Sequence, residues 1–179
     1  MKQWMVLKCD FRETVGVAET LKADNFDVWV PTLTETRRPH TKRSVILKRA
    51  LLPGFVFGDY EDLGRYRQKI AGRLIYESGS RELVPKKPRY FTIFKVNRQV
   101  VRIEDCALDG LRQTELELNS MKPKRESFKI YEKVQVKEGP FKDQIGFIAD
   151  WFEDYYVVQL SQSSVVFKIS PFLLKKIAV

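Results

Sequence analysis

The sequence predicts an α+β fold: an antiparallel sheet with flanking helices in an N-terminal domain, then a small C-terminal β-barrel. Three observations carry this expectation. Short apolar runs alternate with helical-period stripes over residues 1–97. A polar, proline-containing stretch at residues 119–126 interrupts them. Beyond it, short segments with period-two alternation crowd together, separated by turn residues.

Residues 4–8 are apolar and bounded by charge, which predicts a first strand. Phe11, Val15, Ala18 and Leu21 follow at spacings of four, three and three, one face of a helix over residues 12–23. Gly16 weakens that helix by about 1 kcal/mol relative to alanine. Residues 26–31 are aromatic and β-branched and predict a second strand ending at Pro31. No acid follows Glu35 before Arg49, and the periodicity fails there; a basic loop and a long hairpin both fit. The run 51–57 enters a strand through a Pro53-Gly54 corner. Leu63, Tyr66 and Ile70 predict a second helix within residues 61–70. Short strands at 74–76 and 82–84 are expected on either side of the turn-rich Ser78-Gly79-Ser80. Pro88 suits the first turn of a third helix, with Phe91, Phe94 and Val96 on its apolar side.

The N-terminal domain is therefore expected at residues 1–97 and a linker at 98–128. Leu108, Leu111 and Leu118 hint at a weak helix in the linker, interrupted by Gly110. The C-terminal domain, residues 129–179, has strand-like runs at 133–136, 145–151, 155–160 and 165–169 and a last short segment at 172–177. So many short strands in so few residues predict a small closed or half-closed barrel. Gly139 permits a turn that other residues resist, and Pro140 presets the angle that follows. Gly146 lies inside an apolar strand, where a missing side chain allows a bend or a close backbone approach.

The chain has 179 residues, 44% of them hydrophobic, enough to bury a core in one or two small domains. A net charge of +9 favours a polyanionic neighbour, nucleic acid or an acidic protein face. Cys9 and Cys106 are expected as packed thiols in a reducing compartment, not as a disulfide or metal pair. No apolar run approaches the ~18 residues that span a bilayer, and the N-terminus lacks a signal peptide's apolar length. A cytoplasmic monomer without a membrane partner is expected. His40 is the only histidine, and no phosphate-binding loop occurs. Glu61-Asp62 and Glu104-Asp105 read as solvated pairs. These observations predict no enzyme, no cofactor and no metal site.

Two segments carry a family resemblance. The stretch Val134-Gln135-Val136-Lys137-Glu138-Gly139-Pro140-Phe141, continuing through Gly146 to Ile148, looks like a KOW motif, part of an SH3-like barrel. Trp4-Met5-Val6-Leu7 is similar to the opening Trp-Tyr-Val-Val strand of the NusG N-terminal domain. Val30-Pro31 resembles the end of that domain's second strand, and Leu52-Pro53-Gly54-Phe55-Val56-Phe57 its Phe-Pro-Gly-Tyr-Val-Leu signature. Order and spacing agree across almost the whole chain. The short gap from Pro31 to Pro53 is similar to that of RfaH-like specialised paralogues. Gly16, Thr20 and Ala23 lack the polar side chains with which RfaH reads DNA, so that DNA target does not carry over.

The resemblance implies docking on the clamp helices of the RNA polymerase largest subunit through Leu52, Pro53, Phe55 and Phe57, with Tyr76. Residues 55 and 57 of a strand share one face; they either meet the polymerase or fill the core. Arg65 and Arg67 either reach the opposite pincer of the cleft or form a solvated helix face. Arg37, Arg38, Lys42, Arg43, Lys48 and Arg49 either follow upstream or non-template DNA or belong to a solvated loop. Phe141 either anchors a KOW partner, Rho or the NusE ribosomal protein, or caps the barrel end. The implied function is a transcription elongation factor that promotes processivity and antitermination by bridging the main cleft. A housekeeping factor supporting Rho-dependent termination, a ribosome- or RNA-associated KOW protein, and an enzyme acting on nucleic acid stay open as rivals.

Overall fold

The computed structural model describes residues 2–37, 45–79, 90–120, 126–152, 154–163 and 165–177, with backbone only at 36, 37, 45 and 72–79. The chain forms two compact units: residues 1–30 with 54–105, and residues 31–53 with 106–179. The fold is mixed α/β, with antiparallel sheets and few helices.

In the first unit, β1 (Gln3–Cys9) buries Trp4, Met5, Val6 and Leu7 in succession. Burial on both faces is the signature of a strand covered from both sides. It sits inside a five-stranded sheet, pairing antiparallel with β5 (Phe55–Asp59), β6 (Phe91–Ile93) and β9 (Arg102–Glu104). The short β2 (Val28–Trp29) lies outside β5. Helix α1 (Thr14–Ala23) buries Thr14, Val17, Ala18 and Leu21. It ends where Asn25 turns left-handed at φ 59° and donates its N–H to the Lys22 carbonyl at 3.0 Å.

Two expectations fail in this unit. Helix α2 (Leu63–Gly79) does not stop near Ile70, so the strand expected at 74–76 is helical. Leu63, Tyr66, Ile70 and Leu74 continue one helical stripe with no proline between them. The third helix is absent where Phe91 was expected to pack. Instead Phe91–Ile93 is β6, with Phe91 buried and Thr92 exposed, a period of two. Pro88 and the strand expected at 82–84 lie outside the described residues. Beyond β6 come β7 (Lys95–Val96) and β8 (Gln99–Val100), joined by Asn97 and Arg98, both with positive φ.

In the second unit, β3 (Thr32–Arg37) and β4 (Val45–Ala50) form a hairpin in register from Thr32↔Ala50 to Arg37↔Val45. Helix α3 (Asp109–Ser120) is the helix hinted at in the linker; it buries Leu111, with Leu108 buried in the turn before it. Its Glu115 carboxylate accepts the Thr32 N–H at 2.7 Å, and Asn119 Oδ1 accepts the Thr34 N–H at 2.8 Å. Asn119 also donates to the Thr32 carbonyl at 2.7 Å. Side chains one helical turn apart thus satisfy the outer edge of β3.

The C-terminal strands are β10 (Lys133–Val136), β11 (Ile145–Phe152), β12 (Tyr155–Leu160), β13 (Val166–Ile169) and β14 (Leu174–Lys176). They pair in the order β13-β12-β11-β10-β14. That path has two ends, so among the described residues the sheet is open and the expected barrel closure is not found. A short 3₁₀ turn, Pro171–Leu173, carries the chain from one edge strand to the other. The core is Val134, Val136, Ile148, Val158, Leu160, Phe167 and Ile169. Gly146 is there because β12 comes close: a Cβ would lie 2.6 Å from the Gln159 carbonyl oxygen.

Candidate partner-binding surfaces

The Pro53-Gly54 corner forms as the sequence predicts. Gly54 has φ +91°, a region that side chains resist. Its N–H donates to the Thr14 hydroxyl at 2.7 Å, and its carbonyl accepts the Cys9 N–H at 2.9 Å. Thr14 in turn donates to the Phe11 carbonyl at 2.9 Å. The start of α1 therefore locks the corner from beneath.

The expected outward-facing rim is not exposed in this structure. Leu52 is 1% exposed and Phe57 0%, and Pro53 and Phe55 are also buried. Phe57 packs on Trp29 at 5.2 Å, and Phe55 meets Phe94 edge-on at 6.1 Å. The cause at Leu52 is the turn at Gly139, itself at φ +97°, where a Cβ would be 3.1 Å from Leu52 Cδ1 and 3.6 Å from Leu111 Cδ2. Beside it, Ser170 donates its N–H to the Leu51 carbonyl at 3.0 Å. The side chain of Tyr76 lies outside the described residues.

The cations divide into two groups. Arg65 pairs with Asp62 at 2.7 Å and stacks over Phe26 at 4.2 Å. It also reaches the Asp24 and Asn25 carbonyls at 3.3–3.4 Å, binding the end of α1. Arg67 is exposed. In the basic hairpin, Lys48 is exposed, whereas Arg49 is held by Glu35 and Asp154. Arg38, Lys42 and Arg43, and the side chain of Arg37, lie outside the described residues.

Phe141 is not an exposed anchor: it is 8% exposed and stacks on Phe167 at 4.4 Å. On this sheet Trp151 and Val166 reach solvent, and so do Ile145 and Phe147, the latter 42% exposed. With Lys133 and Lys142, Ile145 and Phe147 line an open groove of about 530 Å³. The alternation of β11 carried this signal, because Gly146 and Ile148 point inward and residues 145 and 147 therefore outward.

No disulfide joins the cysteines. Cys106 is exposed, not packed, and Cys9 is half-buried. Burial, opposed by the hydrogen bond between the thiol and the Thr14 hydroxyl and aided by Asp10 and Glu13, pushes the Cys9 thiol up to about 11. Among the described residues, no carboxylate, histidine and cysteine cluster could hold a metal, and no helix is long and apolar enough to cross a membrane.

Residues 2–112 match the family described as "Transcription termination factor nusG". Together with the mixed α/β fold, that match defines a transcription factor. It extends over more than half of the chain, and the chain belongs to the NusG family. No curated protein matches the sequence. Among solved structures, that of domain interaction in Thermotoga maritima NusG is similar at 16% identity, with 99% of this chain and 98% of that chain covered and a TM-score of 0.40. The MjSpt4:Spt5 complex in conformation A is similar at 14% identity, with 98% of each chain covered and a TM-score of 0.28. These low scores add nothing to the family assignment, which rests on residues 2–112.

Proposed function

We propose that this protein is a non-catalytic transcription elongation factor that works in the cytoplasm on RNA polymerase and promotes processivity and antitermination. The family match over residues 2–112 is the observation that carries the reading. The Leu52, Pro53, Phe55 and Phe57 surface, with Tyr76, docks on the clamp helices of the largest subunit. Arg65 and Arg67 face the opposite pincer, and the basic hairpin from Arg37 to Arg49 follows upstream or non-template DNA. A factor bound to both sides of the cleft opposes clamp opening, provided it binds the closed state more tightly than the open one.

The C-terminal sheet is read as a KOW module of SH3-like type, supported by its Gly139 turn and by Gly146 beneath β12. Its partner is NusE or Rho, met around Phe141 and the exposed Ile145 and Phe147. Since Leu52 lies under the Gly139 turn, docking on the clamp helices requires that turn to leave it. Single-round transcription through a terminator tests the proposal. Added protein is expected to increase read-through. Unchanged or earlier termination in the presence of Rho would reject the antiterminator and favour a housekeeping role.

A further inference from the structure

The family reading leaves one cationic stretch unused. From Leu83 to Ile103 the sequence holds Lys86, Lys87, Arg89, Lys95, Arg98 and Arg102 and no acid. The structural case rests on the last three. Strands β7 and β8 form a two-stranded ribbon outside the five-stranded sheet. Lys95, Val96, Asn97, Arg98 and Gln99 are all exposed. The two turn residues have φ 50° and 66°, the signature of a tight two-residue hairpin turn. Glycine is favoured in such a turn, yet arginine stands at the tip. Arg102 follows directly in β9, exposed, with its guanidinium over the Tyr60 ring at 4.3 Å.

Local pairing neutralises some cations of the unit but, among the described residues, neither these three nor Lys8, Lys22 and Arg67. Lys2 is held by Asp27, Arg65 by Asp62 and Lys69 by Asp24. Among the described residues, Lys95, Arg98 and Arg102 have no such carboxylate. We infer that the β7–β8 ribbon, with Lys95, Arg98 and Arg102, is a second docking surface for the phosphodiester backbone of duplex DNA. A protein partner fits less well, because Val96 is the ribbon tip's only exposed apolar side chain and lysine is depleted from protein interface cores. Single-stranded nucleic acid also fits less well, because the ribbon offers no aromatic face for stacking. A narrow two-stranded ribbon with cations at its tip suits a duplex, where it can lie along a groove and contact phosphates.

The inference does not depend on the polymerase reading, so the assay leaves polymerase out. Binding of the full chain to a fluorescein-labelled duplex is followed by anisotropy across a salt series. Arg98→Gly relieves the left-handed turn while removing the charge, so it is expected to keep or raise the melting temperature and still weaken binding several-fold. Lys95→Ala/Arg98→Ala is expected to reduce the slope of log affinity against log salt by about two, one for each lost phosphate contact. Lys95→Arg/Arg98→Lys is expected to restore both affinity and slope. Unchanged duplex affinity and slope in the first two variants, or no duplex binding by the parent chain, would overturn the inference. So would an equal loss on a single strand of the same length.

Discussion

At Gly58 a missing side chain makes room for a ring. A Cβ there would lie 2.7 Å from the Tyr66 hydroxyl oxygen, and Tyr66 is held between Phe26 at 4.5 Å and Phe91 at 6.0 Å. That hydroxyl is buried and has no hydrogen-bond partner among the described residues. Gly58→Ala should therefore destabilise the fold by about 1–3 kcal/mol through overpacking. Tyr66→Phe should be nearly neutral or stabilising, because it removes an unsatisfied group. The double variant should cost less than the two single changes added together, as read from urea unfolding; strict additivity would disprove the contact. Cys9 supplies a pH prediction. Its raised pKa means the folded chain favours the protonated thiol. The stability this contributes is complete below the unfolded thiol's pKa of about 8.5 and is lost as pH rises through about 11. In single-cysteine variants near pH 8, Cys106 should react with a thiol reagent far faster than Cys9; equal rates would contradict the burial of Cys9. Sequence reading did well with glycines, because Gly54 and Gly139 stand where the chain needs a positive φ. It did poorly with Phe141, since a loop aromatic looks the same in one dimension whether it faces solvent or stacks on Phe167.

Among the elements, those with strong local periodicity were legible and those decided by pairing were not. The first strand and the four strands from β10 to β13 follow from spacing alone, whereas the stripe Phe11, Val15, Ala18 and Leu21 shares only its last two residues with the buried face of α1, which Thr14 and Val17 complete. The run Phe91–Ile93 is too short to distinguish a helical turn from a strand, and its pairing with β1 settles it. The role of α3 was equally hidden, because it depends on an edge far away in sequence. Glu115 and Asn119 act together on β3, and Glu115→Ala/Asn119→Ala should expose that edge. Faster amide hydrogen exchange at Thr32 and Thr34, with a stability loss of about 2 kcal/mol, is expected. Unchanged exchange would mean that α3 does not protect the strand.

The molecule as a whole is built from segments that alternate between its two units: residues 31–53 leave the first and join the second. No local pattern announces such an exchange, which is why the sequence placed Leu52 at an open rim and the fold places it beneath Gly139. The family was legible from Trp4 to Phe57 because its strand and corner residues keep their order. The surface available to a partner was not, because exposure depends on which segment packs over it. The proposed docking therefore makes one demand of the whole chain: the turn over Leu52 must withdraw when polymerase binds. The Ser170 amide, which donates to the Leu51 carbonyl, reports on that contact. Hydrogen exchange at Ser170, measured in the full chain with and without saturating core RNA polymerase, tests the demand most directly. Loss of Ser170 protection on binding is the expected result. Undiminished protection in a chain shown to be fully bound would contradict docking through the Leu52 corner.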